Sequence, residues 1–153
     1  MLRLINVKRS TWQNWVRGEL LNSADNGVYR EKDVVEAFIA ALLVSALGSP
    51  REARAALLPM RTDLLDELMS PKGEGKTLVI EPRLLRLRLL AEDAPLQEAL
   101  TPGEICMAIP LADSVRRLRE DFWRFANAQS EPSAGQRSRK ARRRRVSQQD
   151  HHH

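Results

Sequence analysis

The amino-acid sequence predicts a mixed α+β protein that is mostly helical, and three observations lead to this fold class. Apolar residues recur with a helical period over 34–46 and again from Leu111 onward. Leucine and arginine alternate over 85–89, which is typical of a half-buried strand. Apolar residues make up 42% of the 153 residues and charged residues 29%, which is the composition of a soluble protein with a buried core.

The first predicted helix covers 10–17 and has two different faces. Ser10 is a residue type that caps helices, Trp12 and Trp15 lie on one stripe, and Gly18 is common just past a helix end. The positions away from the stripe carry polar side chains of the types that reach base edges and phosphates in nucleic acids. These positions are Thr11, Gln13, Asn14 and Arg17.

The segment after this helix predicts a hairpin and then a longer helix. Asn26 followed by Gly27 is a strong signal for a tight two-residue hairpin turn. The longer helix is predicted to open near Glu31 and to end at Gly48, because its apolar positions keep the helical period between these residues.

The chain from residue 49 onward gives a further helix and then a boundary. Ser49 is a capping residue and Pro50 favours a first turn, so a helix starts here, and Pro59 is expected to interrupt it before 62–69. The stretch SPKGEGK at 70–76 is rich in Gly and Pro and is the best candidate for a domain boundary or hinge.

Beyond this boundary the sequence predicts two or three strands. TLVI at 77–80 and LRLRLL at 85–90 are the first two, with a helical arrangement of the leucines as the alternative for the second. PLQEAL at 95–100 predicts one or two helical turns. EICMAI at 104–109 predicts a short buried strand, in which the single Cys106 is a buried structural thiol.

The last predicted helix has a seam of apolar side chains at spacings of four and three residues. Two interpretations are open: the seam packs on the chain's own sheet, or it pairs with a second copy and makes the protein a homodimer. The seam consists of Leu111, Val115, Leu118, Phe122 and Phe125.

Charge is distributed unevenly along the chain. Residues 1–32 hold six Lys/Arg against three Asp/Glu, 33–131 hold twelve against sixteen, and 132–150 hold seven against one. Basic ends suit contact with a polyanion, and the acidic middle is a candidate surface for a protein partner. The seven cations near the C-terminus are Arg137, Arg139, Lys140, Arg142, Arg143, Arg144 and Arg145.

Residues 130–150 lack periodicity and predict a disordered basic tail. Phosphate binding is the favoured role of its cations, and a nuclear-localisation-like address or a solubilising segment are the alternatives. The final histidines at 151–153 are typical of an expression tag. The expected organisation is therefore a candidate nucleic-acid-binding domain at 1–70 and a small self-association module at 76–129. The basic tail at 130–150 and the tag remnant at 151–153 follow.

Three segments between residues 5 and 58 match a known family in order and spacing. NVKRSTWQNWVRGELL is similar to the end of the family's first helix, its turn and its recognition helix. ALGSPREARAAL is similar to the end of a later helix and the start of the next. Tyr29, Asp33 and Val34 match the aromatic residue that ends the wing and the Asp-Val pair four residues on. The segment thus resembles the winged helix-turn-helix of MerR-type regulators and phage excisionases.

The resemblance implies binding to double-stranded DNA, with helix 10–17 in the major groove and phosphate contacts on either side. Gln13, Asn14 and Arg17 would then set sequence preference. Both tryptophans are favoured as core residues over stacking on DNA, whereas both roles are open for Tyr29. With the tail cations, the expected DNA-binding residues are Lys8, Arg9, Ser10, Thr11, Gln13, Asn14, Arg17, Tyr29, Arg30 and Lys32.

Several function classes are disfavoured by what the sequence contains. Because the only histidines are 151–153, the usual general base and the commonest metal ligand are missing, and no enzyme activity, metal or cofactor is expected. KGEGKT differs from a phosphate-binding loop, since its glycines are two residues apart and a strand follows. No long apolar run or secretory signal is present, so a cytoplasmic, nucleoid-associated location without membrane contact is expected.

The expected function is that of a sequence-specific DNA-binding transcription regulator, of phage or plasmid origin. One alternative is an architectural DNA-binding factor, such as an excisionase or a packaging subunit, which would share the reading helix but bend or bridge DNA. The other is an interaction adaptor or antitoxin, in which the acidic middle binds a protein and the basic ends are incidental.

Overall fold

The computed structural model describes residues 5–23, 28–70, 76–91, 94–96 and 100–130, and these form a mixed α+β fold that is mostly helical. This confirms the predicted fold class. The helices are α1 (Arg9–Arg17), α2 (Glu31–Leu47), α3 (Pro50–Leu57), α4 (Arg61–Met69) and α5 (Ala112–Ser130). The strands are β1 (Lys76–Glu81), β2 (Arg86–Ala91) and β3 (Met107–Pro110).

The local signals around α2, α3 and α4 act as predicted. Gly48 ends α2 in the left-handed conformation, with φ 84°, which costs a glycine little because it has no Cβ. The Ser49 hydroxyl caps α3 by accepting a hydrogen bond from the Glu52 backbone N–H at 3.2 Å. Pro59 lies in the 3₁₀ turn Leu58–Met60, which separates α3 from α4.

The start of α1 differs from the prediction, whereas its end agrees. Lys8 occupies the N-cap without a side-chain hydrogen bond and Ser10 lies inside the helix, so the prediction of Ser10 as the cap is wrong. At the other end, the Gly18 N–H donates to the Asn14 carbonyl at 2.9 Å. A Cβ at position 18 would lie only 3.2 Å from that oxygen, which favours glycine there.

The strands form an antiparallel sheet in the order β2-β1-β3. Leu78 pairs with Leu89 and Ile80 with Leu87, and the side chains of Leu78, Ile80 and Leu87 are buried in the core. This confirms that LRLRLL contains a strand and not a helix. Its first leucine, Leu85, lies in the preceding turn in the left-handed conformation, with φ 47°, and not in the strand.

The third strand is more exposed than predicted. β3 lies at one edge of the sheet, and its residues alternate between half-buried and exposed. Just before it, Ile105 is exposed and Cys106 is half-buried. The predicted strand is confirmed but its burial is not, because successive side chains of β3 point to opposite faces and those on one face are exposed, while Cys106 precedes the strand.

Helices and sheet share one buried cluster. Trp12 and Trp15 of α1 are each 6% exposed and belong to it, which confirms that they are core residues. Leu68 of α4 and Leu78 of β1 are both 0% exposed and belong to the same cluster. The residues on both sides of the predicted boundary at 70–76 thus contribute to the same apolar interior.

The chain divides into two units at a different place, within α5. Met1–Phe122 form the first unit and Trp123–His153 the second. The first unit therefore includes residues from both predicted modules, 1–70 and 76–129. In the second unit, residues 123–130 are described and are helical.

The apolar seam of α5 divides into buried and exposed residues. Leu111, Val115 and Leu118 are 0%, 1% and 7% exposed and belong to the chain's own core, and Phe122 packs against it. Of the two interpretations, the structure therefore favours packing within the chain for these residues, which are already buried there. Phe125 is 45% exposed and stays available for an intermolecular role.

Several predicted features fall outside the described residues. They are the hairpin turn at Asn26 and Gly27, the proposed boundary at 71–75, residues 97–99 of the helical turns predicted for 95–100, and the basic tail from residue 131. Among the described helices, none combines the length and the apolar character needed to cross a membrane.

Candidate nucleic-acid interface

One face of α1 presents polar side chains to solvent. Ser10, Gln13, Asn14 and Arg17 occur at positions i, i+3, i+4 and i+7, so they share a helix face, and all four are exposed. Lys8 and Arg9, which immediately precede this face in sequence, are exposed as well, whereas Thr11 is half-buried. The predicted contact residues of α1 therefore form a continuous surface, with Thr11 at its margin.

The opposite face of α1 is fixed by aromatic packing. Trp12 and Trp15 are buried in the core, and the ring of Tyr29 meets that of Trp12 edge-on, with centroids 5.5 Å apart and an interplanar angle of 82°. Tyr29 is 37% exposed, so it combines a packing contact with a solvent-facing side. Of its two predicted roles, packing is observed.

The cations in this region differ in whether they are already paired. Within the described part of the chain, Lys8, Arg9 and Arg17 form no ion pair. Lys32 does, because its Nζ lies 2.7 Å from Asp66 Oδ1. That pair is exposed and contributes little to stability, so Lys32 can exchange Asp66 for an external anion at small cost.

Arg30 and Asp33 form the start of α2. The backbone N–H of Arg30 donates to Asp33 Oδ2 at 2.7 Å, which closes the first turn of the helix. Arg30 is exposed and precedes Lys32 by two residues. The residues predicted to contact phosphates from the wing therefore lie at a helix N-terminus.

A polar cluster that the sequence analysis missed connects the turn after α1 to α2 and α4. The Arg61 guanidinium donates to the Leu20 carbonyl at 2.6 Å and to the Glu19 carbonyl at 3.0 Å. It also contacts Asn22 Oδ1 at 3.2 Å and Glu36 Oε1 at 3.2 Å. The available signal was Glu36, a single acid within the apolar stretch VVEAFIAALLV of α2.

Glu36 is 3% exposed, and this burial raises the pKa of its carboxyl above the ordinary value, although Arg61 acts in the opposite direction. Asn22 Nδ2 donates to its Oε1 at 3.3 Å. Glu36 also lines a small polar pocket, whose residues are Asn22, Ser23, Arg30, Lys32, Asp33, Glu36 and Leu65.

A second buried acid, Glu81, lies at the end of β1 and has the opposite shift. Hydrogen bonding by the Thr101 side chain lowers the pKa of the Glu81 carboxyl, despite its burial, and the Thr101 backbone N–H donates to its Oε1 at 3.0 Å. Arg88 Nε lies 3.6 Å from Oε2. This carboxylate is therefore stabilised in its charged form.

The two acids should give opposite pH dependence of stability. A raised pKa means that the contribution of Glu36 is present below about pH 4.5 and is lost as pH rises through the raised value. The contribution of Glu81 is present above about pH 4.5 and is lost as pH falls through the lowered value. The quantity to compare is the free energy of unfolding of the wild type minus that of the variant. On acidification, we expect this difference to rise for Glu36→Gln and to fall for Glu81→Gln.

Urea unfolding at a series of pH values measures both differences, and each variant serves as the control for the other. Two differences that change in the same direction would contradict the opposite environments of the two carboxyls.

Among the described residues, no group of three or more His, Cys, Asp and Glu side chains is arranged to hold a metal ion.

Comparisons of the chain with protein-family models, with curated proteins and with solved structures give no match.

Proposed function

We propose that the protein is a sequence-specific DNA-binding regulator that reads the major groove of double-stranded DNA with α1. The observation that carries this proposal is the exposed polar face of α1, formed by Ser10, Gln13, Asn14 and Arg17 and backed by two buried tryptophans. An α-helix fits the major groove, and a helix held firmly along one side can present its other side at a defined depth.

The side chains on this face have the chemistry for direct base recognition. Asn and Gln amides pair bidentately with adenine, and an Arg guanidinium pairs bidentately with guanine. Gln13, Asn14 and Arg17 provide these groups within two turns of helix. Their exposure and common face support a role in base readout rather than in folding.

The charges around this face support phosphate binding beside base readout. Lys8, Arg9 and Arg17 form no ion pair with other described residues, so their charges are available to an external anion. Arg30 and Lys32 extend the cationic surface from the start of α2. The seven cations at 137–145 would add phosphate contacts without sequence preference.

The proposal is tested by selecting duplexes from a random library and then titrating α1 variants on the selected site. Asn14→Ala and Arg17→Ala should each lose about 1 to 3 kcal/mol of affinity for the selected site and much less for a scrambled duplex, because a base contact discriminates between sequences. Arg51→Ala is the matched control, since Arg51 is exposed on α3 outside the interface.

The outcomes separate the alternatives. Equal weakening on both duplexes would assign Asn14 and Arg17 to phosphate contact. Failure of the library to yield any preferred site would contradict sequence-specific reading.

We also propose that the protein acts as a homodimer through the second unit, where Phe125 is 45% exposed and Trp123 is 54% exposed. One helix reads only a few base pairs, and a twofold pair would double the contacts on a site with the same symmetry. The proposed location is cytoplasmic, on the nucleoid.

A further inference from the structure

The turn that follows α1 is closed by side chains from α3 and α4. Arg61, the first residue of α4, donates to two successive backbone carbonyls, those of Glu19 and Leu20, at 3.0 and 2.6 Å. Arg54 of α3 pairs through its Nη2 with the Glu19 carboxylate. Arg61 therefore anchors the backbone of the turn, and Arg54 adds only an exposed ion pair; both lie more than thirty residues away along the chain.

This turn needs anchoring because its backbone is strained. Glu19 has φ 57°, in the left-handed region that residues with a Cβ rarely adopt. Its carbonyl is one of the two that Arg61 binds. The turn also brings the backbone N–H groups of Leu20 and Leu21 back to the Trp15 carbonyl of α1, at 2.9 and 3.3 Å.

The geometry at Arg61 requires a guanidinium. Its side chain is 13% exposed, and Nη1 and Nη2 donate to the two carbonyls and to Asn22 Oδ1, while Nε lies 3.2 Å from Glu36 Oε1 without a hydrogen bond. A guanidinium presents five N–H groups in a fixed planar fork, whereas an ammonium is a point charge with three donors. Lysine could keep the charge opposite Glu36, but its single nitrogen could not replace two nitrogens that bind acceptors on different residues of the turn.

We propose that Arg61 is a positioning residue for DNA reading, which holds the turn 19–22 and thereby sets the orientation of α1. The inference rests on the proposed function of the α1 face. Base recognition requires side chains to be placed within about 0.5 Å and 10 to 20° of their productive geometry. The two tryptophans hold one side of a nine-residue helix, and Arg61 holds its C-terminal end.

The prediction concerns Arg61→Lys in the full chain, with Arg54→Lys as the matched control. Arg61→Lys should keep cooperative unfolding but expose the amides of Leu20 and Leu21 to faster hydrogen exchange in the absence of DNA. Its affinity for the selected duplex should fall by about tenfold or more while its affinity for a scrambled duplex is unchanged, because a misplaced helix loses base contacts before phosphate contacts. Arg54→Lys, at a more exposed single ion pair, should change neither quantity appreciably.

Asn22→Ala provides a second test should Arg61→Lys fail to fold. Asn22 is exposed and joins Arg61 to Glu36 through its amide, so its removal weakens the same anchor without leaving a charge unpaired. A smaller loss of discrimination, of about threefold, is expected together with faster exchange at Leu20.

The possible results separate this inference from the function on which it rests. Wild-type protein that binds no duplex selectively would overturn both. Wild-type selectivity that survives unchanged in the folded variants, with or without faster exchange at Leu20 and Leu21, would overturn the positioning role alone.

Discussion

Replacing Leu118 by glutamate is expected to unfold the first unit, whereas the same change at Phe125 should leave the fold intact. Leu118 is 7% exposed in the shared core, so the substitution removes its apolar contacts and places a carboxylate among apolar side chains. A cost of about 3 to 5 kcal/mol is a large fraction of the stability of an ordinary domain. Phe125 is 45% exposed, and a glutamate there remains in contact with water.

Urea unfolding of both variants measures this difference, and analytical ultracentrifugation at tens of micromolar protein measures assembly. If the dimer proposal is correct, Phe125→Glu should be a folded monomer while the wild type is a dimer. A Leu118→Glu variant that is folded and monomeric would instead support an intermolecular role for Leu118 and contradict its burial within the chain.

Deleting residues 132–150 should produce the largest change in DNA affinity at low salt. Each phosphate neutralised on duplex DNA contributes about 0.9 to the slope of log affinity against log salt, so a tail that places about four of its cations on DNA contributes roughly 3 to 4 units. The deletion removes seven Lys/Arg and one Asp/Glu. Because the tail is expected to contact backbone and not bases, the ratio of specific to nonspecific affinity should stay constant or rise.

The measurement compares full-length and truncated protein on the selected and the scrambled duplex at several salt concentrations. A second truncation that removes only residues 146–153 is the matched control, since it shortens the chain but keeps all seven cations. A slope that does not change on removing 132–150 would show that the arginines do not contact DNA, and would leave the two alternatives for the tail, an address signal or a solubilising segment.

The elements of the fold could be predicted where the local sequence dominates. Gly48 tolerates the left-handed conformation, Ser49 caps through its own hydroxyl, and Pro50 and Pro59 fix their own φ, so the helices end and begin at these residues. Alternation of leucine and arginine favoured a strand at β2 over a helix because a strand places successive side chains on opposite faces. The exposed face of α1 followed from helical periodicity in the same way.

The features that sequence reasoning missed depend on partners distant along the chain. Periodicity shows that Leu118 lies on an apolar face, but not that this face meets the chain's own core. It likewise shows that EICMAI is apolar, but not that β3 takes an edge position. Arg61 and Glu36 are 25 residues apart, and neither forms part of a local motif that would indicate their contact.

The buried cluster that α1 shares with β1 also connects ligand binding with unfolding. Any ligand that binds α1 only in the folded state stabilises every element that unfolds together with it, including strands that the ligand does not touch. At a free concentration one hundred times its Kd, such a ligand adds about 2.7 kcal/mol to the free energy of unfolding. The melting temperature of the first unit would then depend on the concentration of any ligand that binds α1.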